Sequence, residues 1–134
     1  MKPSSQSREV FKSILKNGAI TNFQGKIYVD SIAQKTDGYQ MSRSLLLDNE
    51  SKANNKPELE IYADDVKCSH GCTIGQLDEN ALFYLRTRGV SKEDANAILT
   101  FAFASEAMDK ISIPVLGDHV KSLMEDKLGV NLSI

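Results

Sequence analysis

Between residues 23 and 77 the apolar residues fall in short clusters separated by polar turns: "KIYV" (26–29), "SLLL" (44–47) and "LEIYA" (59–63). Their aliphatic and aromatic content is that of β-strands. Each cluster is followed by an aspartate, Asp30, Asp48 and Asp64, at intervals of 18 and then 16 residues. A strand plus a turn at a near-constant interval predicts stacked rungs, as in a parallel β-helix. An antiparallel sheet of hairpins is the alternative that the pattern leaves open. The least apolar stretch, "DNESKANNKPE" (48–58), carries Asn54-Asn55 and Pro57 and predicts a surface loop. Upstream, "SREVFKS" reads as an amphipathic turn or the approach to a strand.

After residue 77 the period changes to that of helices. Asp78 is a candidate N-cap, Leu82, Phe83 and Leu85 supply apolar contacts, and Gly89 suits a left-handed stop. Ser91 is a second N-cap, with Asp94 three residues on as a shortened capping box. Ala95, Ile98, Leu99, Ala102 and Phe103 then follow the spacing of one helix face. Ala97, Phe101, Ala104 and Met108 form a second apolar row. A helix apolar on two sides is buried between neighbours or lends one side to a partner. Pro114 opens a third helix, in which Leu116, Val120, Leu123 and Met124 share a face and Gly129 is the stop. The expected layout is α+β: residues 1–77 as rungs, residues 78–134 as a helical domain.

The 134 residues suffice for one domain or two small units, and 41% hydrophobic with 25% charged residues is ordinary for a globular protein. A net charge of -2 gives no basic field for nucleic acid. No apolar run reaches the roughly 18–20 residues that span a bilayer, so no membrane partner is expected. The opening "MKPSSQSREVF" lacks the apolar centre of a secretory signal. Two cysteines are too few for a disulfide scaffold, and reduced thiols in the cytoplasm or an organelle stroma are expected.

Both cysteines lie in "ADDVKCSHGCTIG" (63–75), where Cys68, His70 and Cys72 alternate. On a strand these side chains share a face, with neighbours roughly 6.6–6.8 Å apart. Two thiolates on one zinc are at most about 4.6 Å apart, so a flat row cannot close on one ion. A turn at Gly71 would relax this. The only other histidine, His119, belongs to a helical segment and reads as a surface or packing residue. Four cysteines for an ordinary iron–sulfur cage are lacking. The row is best taken as open, offering one or two ligands to a site completed elsewhere. The competing readings are a nucleophilic Cys68 with His70 as base, and a thiol that only fills space.

The segment "LEIYADDVKCSHGCTIGQLDENALFYLRTRG" closely resembles the SufB/SufD family of SUF iron–sulfur cluster assembly scaffolds, its SufD branch in particular. So do "FQGKIYV", "AQKTDGYQ", "SLLL" and "EDANAILTFAFASEAMDKI"; the resemblance spans roughly residues 8–130. "SHGCT" stands where SufB has His-Glu-Ala-Thr, and Ser42 in "YQMSRSLL" where SufB has its sulfur-accepting cysteine, which favours SufD. The resemblance implies a right-handed parallel β-helix followed by a C-terminal helical domain, the chain being a C-terminal fragment. It implies a non-catalytic scaffold that pairs with SufB through the β-helix and docks the SufC ATPase on the helices. In isolation a homodimer is the alternative assembly. Cys68 and His70 carry over as contributors to a transient iron–sulfur cluster at the SufB interface, with no cofactor held permanently. Cys72 departs from the alanine usual in the family and is given no role.

Overall fold

The computed structural model describes residues 4–129. The fold is α+β: five parallel-paired strands, then three helices, in two compact units that divide between Gly75 and Gln76.

In the first unit the strands are β1 (Gln6–Leu15), β2 (Ile20–Val29), β3 (Asp37–Leu46), β4 (Lys52–Ile61) and β5 (Lys67–Gly75). They form two sheets, ordered β1-β3-β5 and β2-β4. Successive strands thus alternate between sheets, and each supplies the crossover that parallel pairing of its neighbours requires. Gln6 lies beside Asp37, Ile20 beside Lys52, and Asp37 beside Lys67. The true repeat is therefore about twice the aspartate interval: 26–29 and 59–61 lie in one sheet, 44–46 in the other. Two of the aspartates, Asp30 and Asp48, mark strand ends because they fasten turns. Asp30 accepts from the Ile32 amide, and Asp48 accepts from the Asn17, Glu50 and Ser51 amides, joining two turns.

The apolar clusters show only the ends of the strands. Leu15, Val29 and Leu45 are buried there, with Ala63 just past β4. Midway along β3 the buried residues are polar: Gln40, Ser42 and Ser44. Segment 48–58 is consequently a correction: residues 52–61 are strand β4, not a loop. Asn54 donates to the Asn22 side chain of β2 at 2.8 Å, Asn55 donates to Ser44 Oγ at 3.3 Å, and β4 is an edge strand, where proline is tolerated. "SREVFKS" lies within the full strand β1 rather than a turn. No tight hairpin joins the strands, and no described residue before Glu79 is helical.

The two sheets face one another. A Cβ on Gly25 of β2 would stand 2.5–2.8 Å from the Gln40 amide of β3, and a Cβ on Gly38 of β3 would be 3.5 Å from Ile27 Cγ2 of β2. The Phe11 and Phe23 rings, from β1 and β2, are centred 4.8 Å apart. Gly38, Gln40, Ser42 and Ser44 therefore point into the space between the layers, and Tyr39, Met41 and Arg43 point away.

The second unit comprises α1 (Glu79–Thr87), α2 (Lys92–Met108) and α3 (Pro114–Leu128). Asp78 Oδ1 accepts from the Asn80 and Ala81 amides, capping α1. Ser91 Oγ accepts from the Asp94 amide at 3.0 Å and donates to the Asp94 carboxylate at 2.7 Å. The expected box thus closes hydroxyl to carboxylate. Gly89 follows the C-cap of α1 with φ 88°, and Gly129 ends α3 with φ 68°. Ala95 and Thr100 are the buried residues of α2. Leu116 and Leu123, two of the four expected on the apolar face of α3, are exposed, as are Phe83 and Tyr84 of α1.

Candidate functional site

β5 is the last strand of its sheet and pairs on one side only, with β3. Its register sets Cys68 beside Gly38, His70 beside Gln40 and Cys72 beside Ser42. Register partners in a parallel sheet share a face, so Cys68, His70 and Cys72 look into the interlayer space. The Cys68 sulfur confirms the direction: it lies 3.3 Å from where a Gly38 Cβ would stand. Lys67, one residue earlier, is on the opposite face and is no neighbour for the thiol. Whereas β4 covers Ser44 through Asn55, the row on β5 stands at the open margin of the stack: Cys68 is half-buried, His70 and Cys72 are exposed.

The strand runs straight through Gly71, which pairs with Met41, and no turn there draws the row together. Both cysteines are free, and at four strand positions, about 13 Å, they lie far outside disulfide range. Among the described residues no three His, Cys, Asp or Glu side chains converge on a point where a metal would sit. His119 lies on α3, in the other unit. What this arrangement offers is one or two soft and borderline donors at the open margin of an edge strand.

Three residues that the sequence did not single out frame the row. Gly38 leaves room for the Cys68 thiol. Gln40 lies between Glu9 of β1 and His70 of β5 in one line across the sheet, and its Nε2 donates to Glu9 Oε2 at 3.0 Å. Gly25 makes space for the Gln40 amide from the facing layer. Only the roughly 31-residue register aligns these positions, and no local motif carries it. A coupled pair of charged groups lies elsewhere in the unit. On the outward face of β2 and β4, Lys26 and Glu60 form a 2.7 Å ion pair. A hydrogen bond and the adjacent charge of each partner raise the Lys26 ammonium and lower the Glu60 carboxyl.

Known proteins place this geometry in context. Residues 1–103 match the family model of the SufBD core domain of SUF system FeS cluster assembly. The chain is 43% identical over 122 residues to the iron–sulfur cluster assembly protein SufD of Escherichia coli, covering 91% of the chain and 29% of that protein. It is 43% identical over 119 residues to an iron–sulfur cluster assembly SufBD family protein of Synechocystis, covering 89% of the chain and 26% of the relative. Against the chloroplastic protein ABCI7 of Arabidopsis thaliana it is 40% identical over 127 residues, covering 91% and 27%. The chain thus spans less than a third of the length of these relatives. With the family model matched over most of its length, the chain belongs to the SufBD core domain family of the SUF iron–sulfur cluster assembly system.

Proposed function

We propose that this chain is the C-terminal part of a SufD-type scaffold subunit that lends Cys68 and His70 to a transient iron–sulfur cluster completed by ligands from SufB. The observation that carries this is the position of the row: half-buried Cys68 and exposed His70 share one face of an edge strand, with too few convergent donors among the described residues for a closed site. A nascent cluster must be handed on, and a half-site fits that role where a four-ligand cage does not. The cluster is cargo here. Thiolate and imidazole are suitable donors for iron and iron–sulfide.

In this proposal the alternating strands are the last rungs of a right-handed parallel β-helix, residues 1–77, and the free edge of β5 is where SufB adds. Residues 78–134 form the helical domain that docks the SufC ATPase. Exposed Phe83, Tyr84, Leu116 and Leu123 support that docking. The subunit performs no reaction of its own. An enzyme using Cys68 and His70 is the alternative; it needs thiol and base in hydrogen-bond reach and a third group to orient the base. No described helix is long and apolar enough to cross a membrane, and a reducing cytoplasm suits two free thiols.

Size-exclusion chromatography of the full-length protein with SufB and SufC tests the partner assignments. The intact protein should elute with both, and truncation after Gly75 should abolish SufC binding while leaving SufB pairing. SufC binding unchanged by the truncation would overturn the assignment of the helices.

A further inference from the structure

Gln40 is 2% exposed, and its amide is only half used. Nε2 donates to Glu9 on the β1 side, while Oε1 is buried with no hydrogen-bond partner. A buried carbonyl of this kind is rarely left unpaired. The nitrogen and oxygen are the two ends of one planar group. With Glu9, an acceptor, holding the nitrogen toward β1, the oxygen is turned away from β1. On that other side the register neighbour is His70, on the same inward face, and an imidazole carries an N–H donor. Toward the facing layer the amide meets Gly25, which has no side chain to donate.

We infer that Gln40 is a positioning residue for His70: its Oε1 accepts the proton of one ring nitrogen, forming a line Glu9–Gln40–His70 across β1, β3 and β5. The exposed carboxylate of Glu9 fixes which end of the amide faces β5. The amide in turn fixes the imidazole tautomer and ring plane. The other ring nitrogen is left unprotonated, with its lone pair free for a cation. Ligating histidines elsewhere are held in this way by an acceptor behind the ring. The role of the free lone pair rests on the proposed function; the hydrogen-bonded line does not, and it is measurable without iron, sulfide or partner.

The test is ¹⁵N NMR of the metal-free chain with labelled histidine, at about pH 8.5, above the ordinary imidazole value of about 6.5. The chain has two histidines, so exposed His119 serves as internal reference. His70 should show one protonated and one bare nitrogen, the signature of a single tautomer, while His119 shows the averaged signals of two. Glu9→Leu removes only an exposed side chain and frees the amide to turn; His70 should lose the single-tautomer pattern and His119 stay unchanged. Gln40→Met, similar in volume but lacking the acceptor, should produce the same loss. Averaged signals for His70 in the unaltered chain would overturn the inference without any variant having to fold, and would leave the function of Cys68 and His70 open. A single tautomer that persists in Glu9→Leu and Gln40→Met alike would overturn it too, by assigning the ring's partner elsewhere.

Discussion

Adding one methyl group at Gly25 tests whether the two sheets pack as described. The new Cβ would stand 2.5 Å from Gln40 Oε1 and 2.8 Å from both Cδ and Nε2. Real Cβ atoms do not approach that closely, so the amide must move. It is buried and tied to Glu9, and the movement also strains or breaks the 3.0 Å bond. Overpacking of a filled interior costs about 1–3 kcal/mol. Alanine restricts the unfolded chain relative to glycine and returns about 0.4–1 kcal/mol. Gly25→Ala should therefore destabilise the first unit by about 1–2 kcal/mol, and each kcal/mol lowers the melting temperature of a unit this small by about 4–8 °C. Gln40→Ala removes the obstacle. In that background Gly25→Ala should cost nothing or stabilise slightly, a coupling read from a double-mutant cycle in urea followed at the β-sheet circular dichroism band. Equal costs in both backgrounds, or no cost in the first, would refute the face-to-face placement of β2 and β3.

Other consequences are nearer the surface. Burial pushes the Asp48 carboxyl up, but hydrogen bonds from the Ser51, Asn17 and Glu50 amides outweigh it and hold the group below its ordinary value. Its contribution to stability is thus complete above the unfolded value of about 3.9 and lost as pH falls through the lower folded value. Asp48→Asn should lower the urea midpoint by a constant amount above about pH 5, with the gap closing in more acid solution; a gap independent of pH would contradict the assignment. Ser91→Ala removes the acceptor at the start of α2 and should cost about 1 kcal/mol, seen in the helical dichroism band. Gly38→Ala places a Cβ 3.3 Å from the Cys68 sulfur and 3.5 Å from Ile27. It should displace the thiol toward solvent and speed its alkylation, leaving Cys72 unaffected.

The helical half of the chain was legible residue by residue because its signals are local. Asp78, Ser91, Pro114, Gly89 and Gly129 act within a few positions of where they stand, and each has the expected place at a helix end. The strands were legible only where their ends are apolar. β4 reads as a loop because both its faces work by polar contacts: inward, Asn55 bonds Ser44 in the opposite layer, and outward, Asn54 bonds Asn22 in the neighbouring strand. Those partners are 11 and 32 residues away, beyond any local pattern. The aspartate interval pointed to a stack but halved its repeat, since Asp30 and Asp48 end strands in different sheets. For the site, alternation alone put Cys68, His70 and Cys72 on one face. That the face turns inward, at an edge, beside Gly38 and Gln40, is a property of register, which pairs residues about 30 positions apart.

The central claim is that Cys68 and His70 supply ligands to a cluster shared with SufB. The most direct measurement is the iron and labile sulfide content, with the visible absorption spectrum, of the complex of full-length protein, SufB and SufC after anaerobic reconstitution. The Cys68→Ala, His70→Ala double variant should assemble normally with its partners, because Cys68 is a small half-buried side chain and His70 an exposed one on an edge strand, yet retain little cluster. Cys72→Ala, made alongside, should load like the unaltered complex. Full cluster content in an assembled double-variant complex would contradict the account and leave the row a packing feature of β5.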